Sequence, residues 1–190
     1  MITDGQHVLV ENFRECVRVY QRYTMLAIGA AFCLLLFSLR LKREASQNEE
    51  MRVEVLYGDV PTITAWFIAL GFYFVLGIFA YYAVHRAKQI VQRLADNAEI
   101  IEALSMYPSL ATEPNPLFRI GSVIISPCLV VASMLIELTR SYESKVWTDY
   151  PWGGFLIVAV IVLAPCISIL IELKAPVGTV SNAPDDGSGE

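Results

Sequence analysis

Charge is scarce in this chain and missing from its longest apolar runs. Only 17% of the 190 residues are Asp, Glu, Lys or Arg, while 55% are hydrophobic and mean hydropathy is +0.51. A soluble domain is nearer a quarter charged. From Val60 to Val84 no side chain is charged at all. No apolar block carries a central Asp, Glu, Lys or Arg, which argues against proton-coupled transport, and no inverted repeat of transporter type is present. A basic excess is lacking too: the net charge of −5 gives no reason to expect nucleic acid as a partner.

Histidine is nearly absent, with only His7 and His85. The four cysteines (Cys16, Cys33, Cys128 and Cys166) include no Cys-x-x-Cys pair, and three of them lie in apolar blocks, where a thiol behaves as a small hydrophobe. There is no His-x-x-x-His, no Ser/His/Asp set, no glycine-rich phosphate loop and no acidic metal cluster. The sequence therefore predicts no catalytic residue, no enzyme activity, no metal and no cofactor.

What is present is apolar sequence in four blocks. A helix of about 20 residues crosses the hydrocarbon core of a bilayer. The blocks predict transmembrane helices over residues 23–41, 61–84, 119–138 and 150–173. Residues 42–60, 108–118 and 139–149 are read as loops, and the Pro/Gly/Ser/Asp-rich residues 174–190 as a disordered acidic tail. The uncharged core of the first block, Tyr23 to Leu39, is short, and snorkelling of Arg22 and Arg40 extends it. Ala27 and Ala31 give this block a small-xxx-small pair suited to close helix contact. Gly58-Asp59-Val60-Pro61 reads as a turn with a proline at the first position of the second span. Met51 to Val55 alternates apolar and charged residues, so a short strand is conceivable there. Gln47 to Glu50 reads as a polar turn, and Trp147, Tyr150 and Trp152 as an interfacial aromatic belt.

Two amphipathic segments flank the first two spans. In residues 1–22, Leu9, Phe13, Cys16, Val17 and Tyr20 keep helical spacing, with Arg14, Glu15, Arg18 and Arg22 largely off that stripe. In residues 85–107, Ala87, Leu94 and Ile101 are seven apart and Leu104 fills in, which predicts a helix continuing the second span. Two crossings return the chain to its starting side. Both stripes then share one side, where they are expected to pair antiparallel as a stalk. The other option is that residues 5–22 lie flat among the headgroups. The polar, mixed-charge start of the chain does not resemble a cleavable signal.

Spans three and four each hold a Pro-Cys pair, Pro127-Cys128 and Pro165-Cys166. Measured from Ile120 and Ile171, both prolines fall at about 10 Å depth from the same boundary. They are candidates for a hinge, a small-ligand cavity or a constriction, against ordinary packing as the plain reading. Glu137 and Glu172 are placed at helix ends, at headgroup level on opposite faces. On the terminal side lie Arg14, Arg18, Arg22, Arg86, Lys88, Arg93, Arg119 and Lys174, eight of the fourteen basic residues, and six lie opposite. The positive-inside rule thus leans towards both termini being cytoplasmic, in a plasma (inner) membrane.

The expected fold is an all-α integral membrane protein with four transmembrane helices in two hairpins, the first hairpin extended into a soluble helical stalk. The expected partners are the lipid bilayer and either a protein partner or further copies of the chain. The expected function is non-catalytic interaction, as an accessory, regulatory or immunity-type subunit. The alternative is a homo-oligomeric channel or membrane-disrupting effector, with Ser122, Ser126, Ser133 and Thr64 lining a pore between copies.

Overall fold

The computed structural model describes residues 4–44, 52–55, 58–95, 97–143, 151–174 and 177. Their elements are α1 (Asp4–Glu44), β1 (Arg52–Val55), β2 (Gly58–Pro61), α2 (Thr62–Arg93), α3 (Ala98–Ser105), α4 (Pro116–Glu143) and α5 (Pro151–Glu172). The protein is helical apart from β1 and β2, which pair antiparallel from Arg52↔Pro61 to Val55↔Gly58. Three helical stretches are long and apolar enough to cross a membrane: Gly5–Arg40, Trp66–Arg93 and Pro116–Thr139. The apolar part of α5, Val158–Glu172, is shorter.

Several expectations are corrected. The amphipathic start and the first span are not separate elements but one helix of 41 residues, about 60 Å long. No proline or glycine pair interrupts its register, so the apolar stripe of Phe13, Val17 and Tyr20 continues into Ala27, Ala31 and Leu34 on the same buried face. Gly58 to Pro61 forms the second strand of the ribbon, and the helix starts after it at Thr62. An exposed ribbon edge tolerates a proline, which lacks an N–H to donate. The ribbon also gives the alternating Arg52–Val55 segment the pairing partner that a lone strand lacks.

The helix predicted over residues 85–107 is broken. Helix α2 ends at Arg93, Leu94 and Ala95 form a turn, and α3 begins at Ala98. Asn97 has extended backbone, φ −120° and ψ 91°, and its side chain accepts from the Ile100 N–H at 3.4 Å. A short polar side chain that caps a new helix competes with continuing the old one. The break shifts the stripe. Ile100 and Leu104 are buried, whereas Ile101 is only half-buried.

Helix α1 packs along both α2 and α4, and α5 packs along α2 and α4. The α1–α2 contact is close because its buried residues are small: Ala27 and Ala31 on α1, and Ala80, Ala83 and Ala87 on α2. Tyr23 and Phe79 stack with ring centroids 5.3 Å apart. The connection into α4 is tightly knit. Thr112 N–H donates to Ser109 Oγ at 3.1 Å, and Thr112 Oγ1 bonds the Tyr107 carbonyl. Asn115 caps α4, accepting from Leu117 N–H at 2.9 Å, with Pro116 in the first helical position.

Residue 177 departs from the expected disordered tail. Val177 is buried, and its N–H donates to the Ala111 carbonyl at 3.0 Å. The remaining expectations for the tail, the turn at Gln47 to Glu50 and the belt residues Trp147 and Tyr150 lie outside the described residues, as do the side chains of Trp152 and Thr64.

Candidate functional site

Helix α4 carries a polar stripe. Ser122, Ser126, Ser133 and Glu137 follow steps of four, seven and four, which places them on one helical face. All four are buried. Ser133 is a hub: it accepts from Trp66 Nε1–H at 3.2 Å, exchanges a 2.8 Å hydrogen bond with Ser38, and donates towards the Leu34 carbonyl at 3.3 Å. One hydroxyl thereby ties α4 to α1 and α2. Further along the stripe, Tyr73 Oη lies 3.0 Å from Ser126 Oγ and 3.4 Å from Cys166 Sγ, joining α2, α4 and α5. Ser122 Oγ donates back to the Arg119 carbonyl at 2.8 Å.

This arrangement corrects the pore expectation. Ser122, Ser126 and Ser133 face the interior of a single chain, so they do not line a channel between copies. Beside Tyr73, Ser126 and Cys166 there is a cavity of about 20 Å³, bounded also by Thr24 and Gly77. That is room for about one water, too little for an organic ligand.

Each of the two prolines lies inside a continuous helix. Pro165 packs against Gly77 of α2, where an added Cβ would stand 2.9 Å from the Pro165 Cβ. Pro127 is buried, and neither proline borders the cavity. Cys128 is exposed and Cys166 is buried, so the two thiols do not face each other. The hundred-degree step between consecutive helix positions sends each cysteine away from its proline.

Of the residues expected at the stalk interface, Phe13, Val17, Tyr20, Ala87, Leu94 and Leu104 are all buried in one apolar cluster, and Leu9 packs partly buried against it. Their stripe is covered within the chain.

The two glutamates lie near helix ends, as expected. Glu137 is buried, 6% exposed. Glu172 joins α5 to α2: His85 Nδ1–H donates to its Oε1 at 2.9 Å, and Lys88 Nζ lies 3.3 Å from its Oε2. The other imidazole nitrogen, Nε2, lies 3.0 Å from Gln89 Nε2. His7 is exposed. Among the described residues no group of three or more His, Cys, Asp or Glu is placed to hold a metal.

No family model, curated protein or solved structure matches this chain.

Two residues that sequence reasoning passed over organise the terminal side. Arg119 is 3% exposed, and its Nε donates to the Leu173 carbonyl at 3.1 Å, just past the end of α5. Its Nη1 donates to the Glu113 carbonyl. A guanidinium at a helix C-terminus satisfies a carbonyl that no intrahelical N–H can reach and complements the helix dipole. Tyr107 is the second. Its hydroxyl accepts from Arg18 Nε at 3.0 Å, and its ring lies 5.9 Å beneath the Arg14 guanidinium. No sequence signal marks either contact, because the partners are separated by 54 and 89 positions.

Proposed function

We propose that the chain is a four-span membrane protein of two hairpins that acts without catalysis, by binding another protein as an accessory, regulatory or immunity-type subunit. The fourth span is α5, whose 22 residues reach about 33 Å. The pairings Ser38–Ser133 and Trp66–Ser133, followed by Tyr73–Ser126 and Tyr73–Cys166, support alternating helix directions. Both termini then share one side, with the cytoplasm favoured by the distribution of Lys and Arg.

The observation that carries the functional reading is the packed layer on the terminal side. Its inner residues Phe13, Val17, Leu94, Ile100 and Leu104 are buried, so it is folded rather than frayed. Its exposed residues include Glu11 three positions from the apolar Val8, and Glu102 four positions from the apolar Met106. Apolar residues rimmed by charge are a usual composition for a protein-binding surface. The hydroxyls of Ser38, Tyr73, Ser126 and Ser133 make bonds between helices, which supports a rigid scaffold carrying that surface.

The decisive measurement is the mass of the complex purified in detergent, with bound detergent subtracted. A monomer or dimer accompanied by a stoichiometric second protein, lost on Val8→Glu/Met106→Glu substitution, is the expected result. A closed ring of this chain alone that conducts ions in liposomes would overturn the reading in favour of a homo-oligomeric channel.

A further inference from the structure

We propose that Arg18, Gln21 and Arg22 on α1, with Met25 and Leu26 one turn further along, form a binding site for an anionic phospholipid. The five residues line an open groove of about 510 Å³ on the outer side of the helix. Their successive steps of three, one, three and one put them on one face.

The chemistry of that face changes along its length. Arg22 is the last charged residue before the uncharged run from Tyr23 to Leu39, which places it at the membrane boundary. Arg18, Gln21 and Arg22 are exposed above that level. Met25 and Leu26, 52% and 55% exposed, stand below it. A phosphate held by the two guanidiniums would lay its acyl chain over Met25 and Leu26. A soluble anion would leave that apolar pair unused, and a choline headgroup would bring a cation against two arginines.

Arg18 is positioned in advance. Tyr107 fixes its Nε from one side, and Glu15 Oε2 lies 3.8 Å from Nη1, a loose and exposed pair one turn further from the membrane. A guanidinium held at one edge loses less freedom on taking up a phosphate. Arg22 has no acidic partner among the described residues. Phosphate contacts from Arg are often bidentate, and the amide of Gln21 adds a donor between the two cations.

The test uses the full chain in detergent, offered phosphatidylglycerol and phosphatidylcholine with identical acyl chains, and counts bound lipid by native mass spectrometry. Wild type should retain phosphatidylglycerol roughly tenfold over phosphatidylcholine. Arg18→Gln/Arg22→Gln should bring the two lipids to parity, and Tyr107→Phe should give an intermediate preference by releasing Arg18. Arg93→Gln, an exposed cation elsewhere, should leave the preference intact. Unchanged melting of the double variant, whose substituted side chains are exposed, confirms that folding is not the cause. Equal retention of both lipids by wild type, or a preference that survives the double variant, would overturn the proposal. Displacement of phosphatidylglycerol by millimolar inorganic phosphate would also overturn it, in favour of a free-anion site. So would an acidic membrane-protein segment that alone occupies the groove.

Discussion

Gly77 of α2 and Pro165 of α5 pack hydrogen against ring: a methyl group at position 77 would stand 2.9 Å from the Pro165 Cβ. The pyrrolidine cannot rotate away as a flexible side chain would, so any added bulk must push the helices apart. The proline in the middle of α5 thus meets a close-packed surface on α2.

Gly77→Ala should therefore destabilise the protein by about 1–3 kcal/mol, the range for overpacking a close contact. Gly29→Ala and Gly71→Ala meet nothing within 4 Å and should be neutral or slightly stabilising through helix propensity. Thermal melting in one detergent compares all three. Equal effects would refute the close α2–α5 contact.

Ser133 takes the indole N–H of Trp66 and the hydroxyl of Ser38 at once. Ser133→Ala leaves both without that partner and should cost about 1–2 kcal/mol, modest because hydrogen bonds between membrane helices average under 1 kcal/mol each. Ser168→Ala is the matched control, since Ser168 bonds only the Ala164 carbonyl of its own helix. The Trp66 fluorescence should shift in the first variant and not in the second.

The break between α2 and α3 makes neighbouring isoleucines unequal. Ile100 is buried in the core cluster, whereas Ile101 is half-buried. Ile100→Asp and Leu94→Asp should each cost more than about 3 kcal/mol, through lost burial and a desolvated carboxylate. Ile101→Asp should cost markedly less. A continuous helix with Leu94 and Ile101 on one seam predicts the opposite order at 100 and 101. Melting curves of the three variants decide between the two.

The helical, membrane-embedded class was legible because it depends on local composition: uncharged runs of spanning length allow little else. The inward stripe of Phe13, Val17 and Tyr20 was legible for the same reason, since helical periodicity is a property of neighbours in the chain. Even there the boundaries were not. Whether α1 pauses at residue 22 or Asn97 starts a new helix turns on small local differences that tertiary contacts outweigh.

Relations between distant residues were decided only by the tertiary structure. Ser122, Ser126 and Ser133 have the same spacing whether they face a pore or a neighbouring helix; Trp66, Ser38 and Tyr73 decide that they face inward. That Pro165 meets Gly77 is not written in the spacing of either helix. Nor is the pairing of Glu172 with His85 and Lys88 of α2. The physical reason is the same in each case. Hydrophobicity and periodicity are summed along the chain, so the sequence by itself determined which segments are helical and apolar. Hydrogen bonds, ion pairs and steric contact act over a few ångströms between residues as much as 99 positions apart, so only the packed helices could assign their partners.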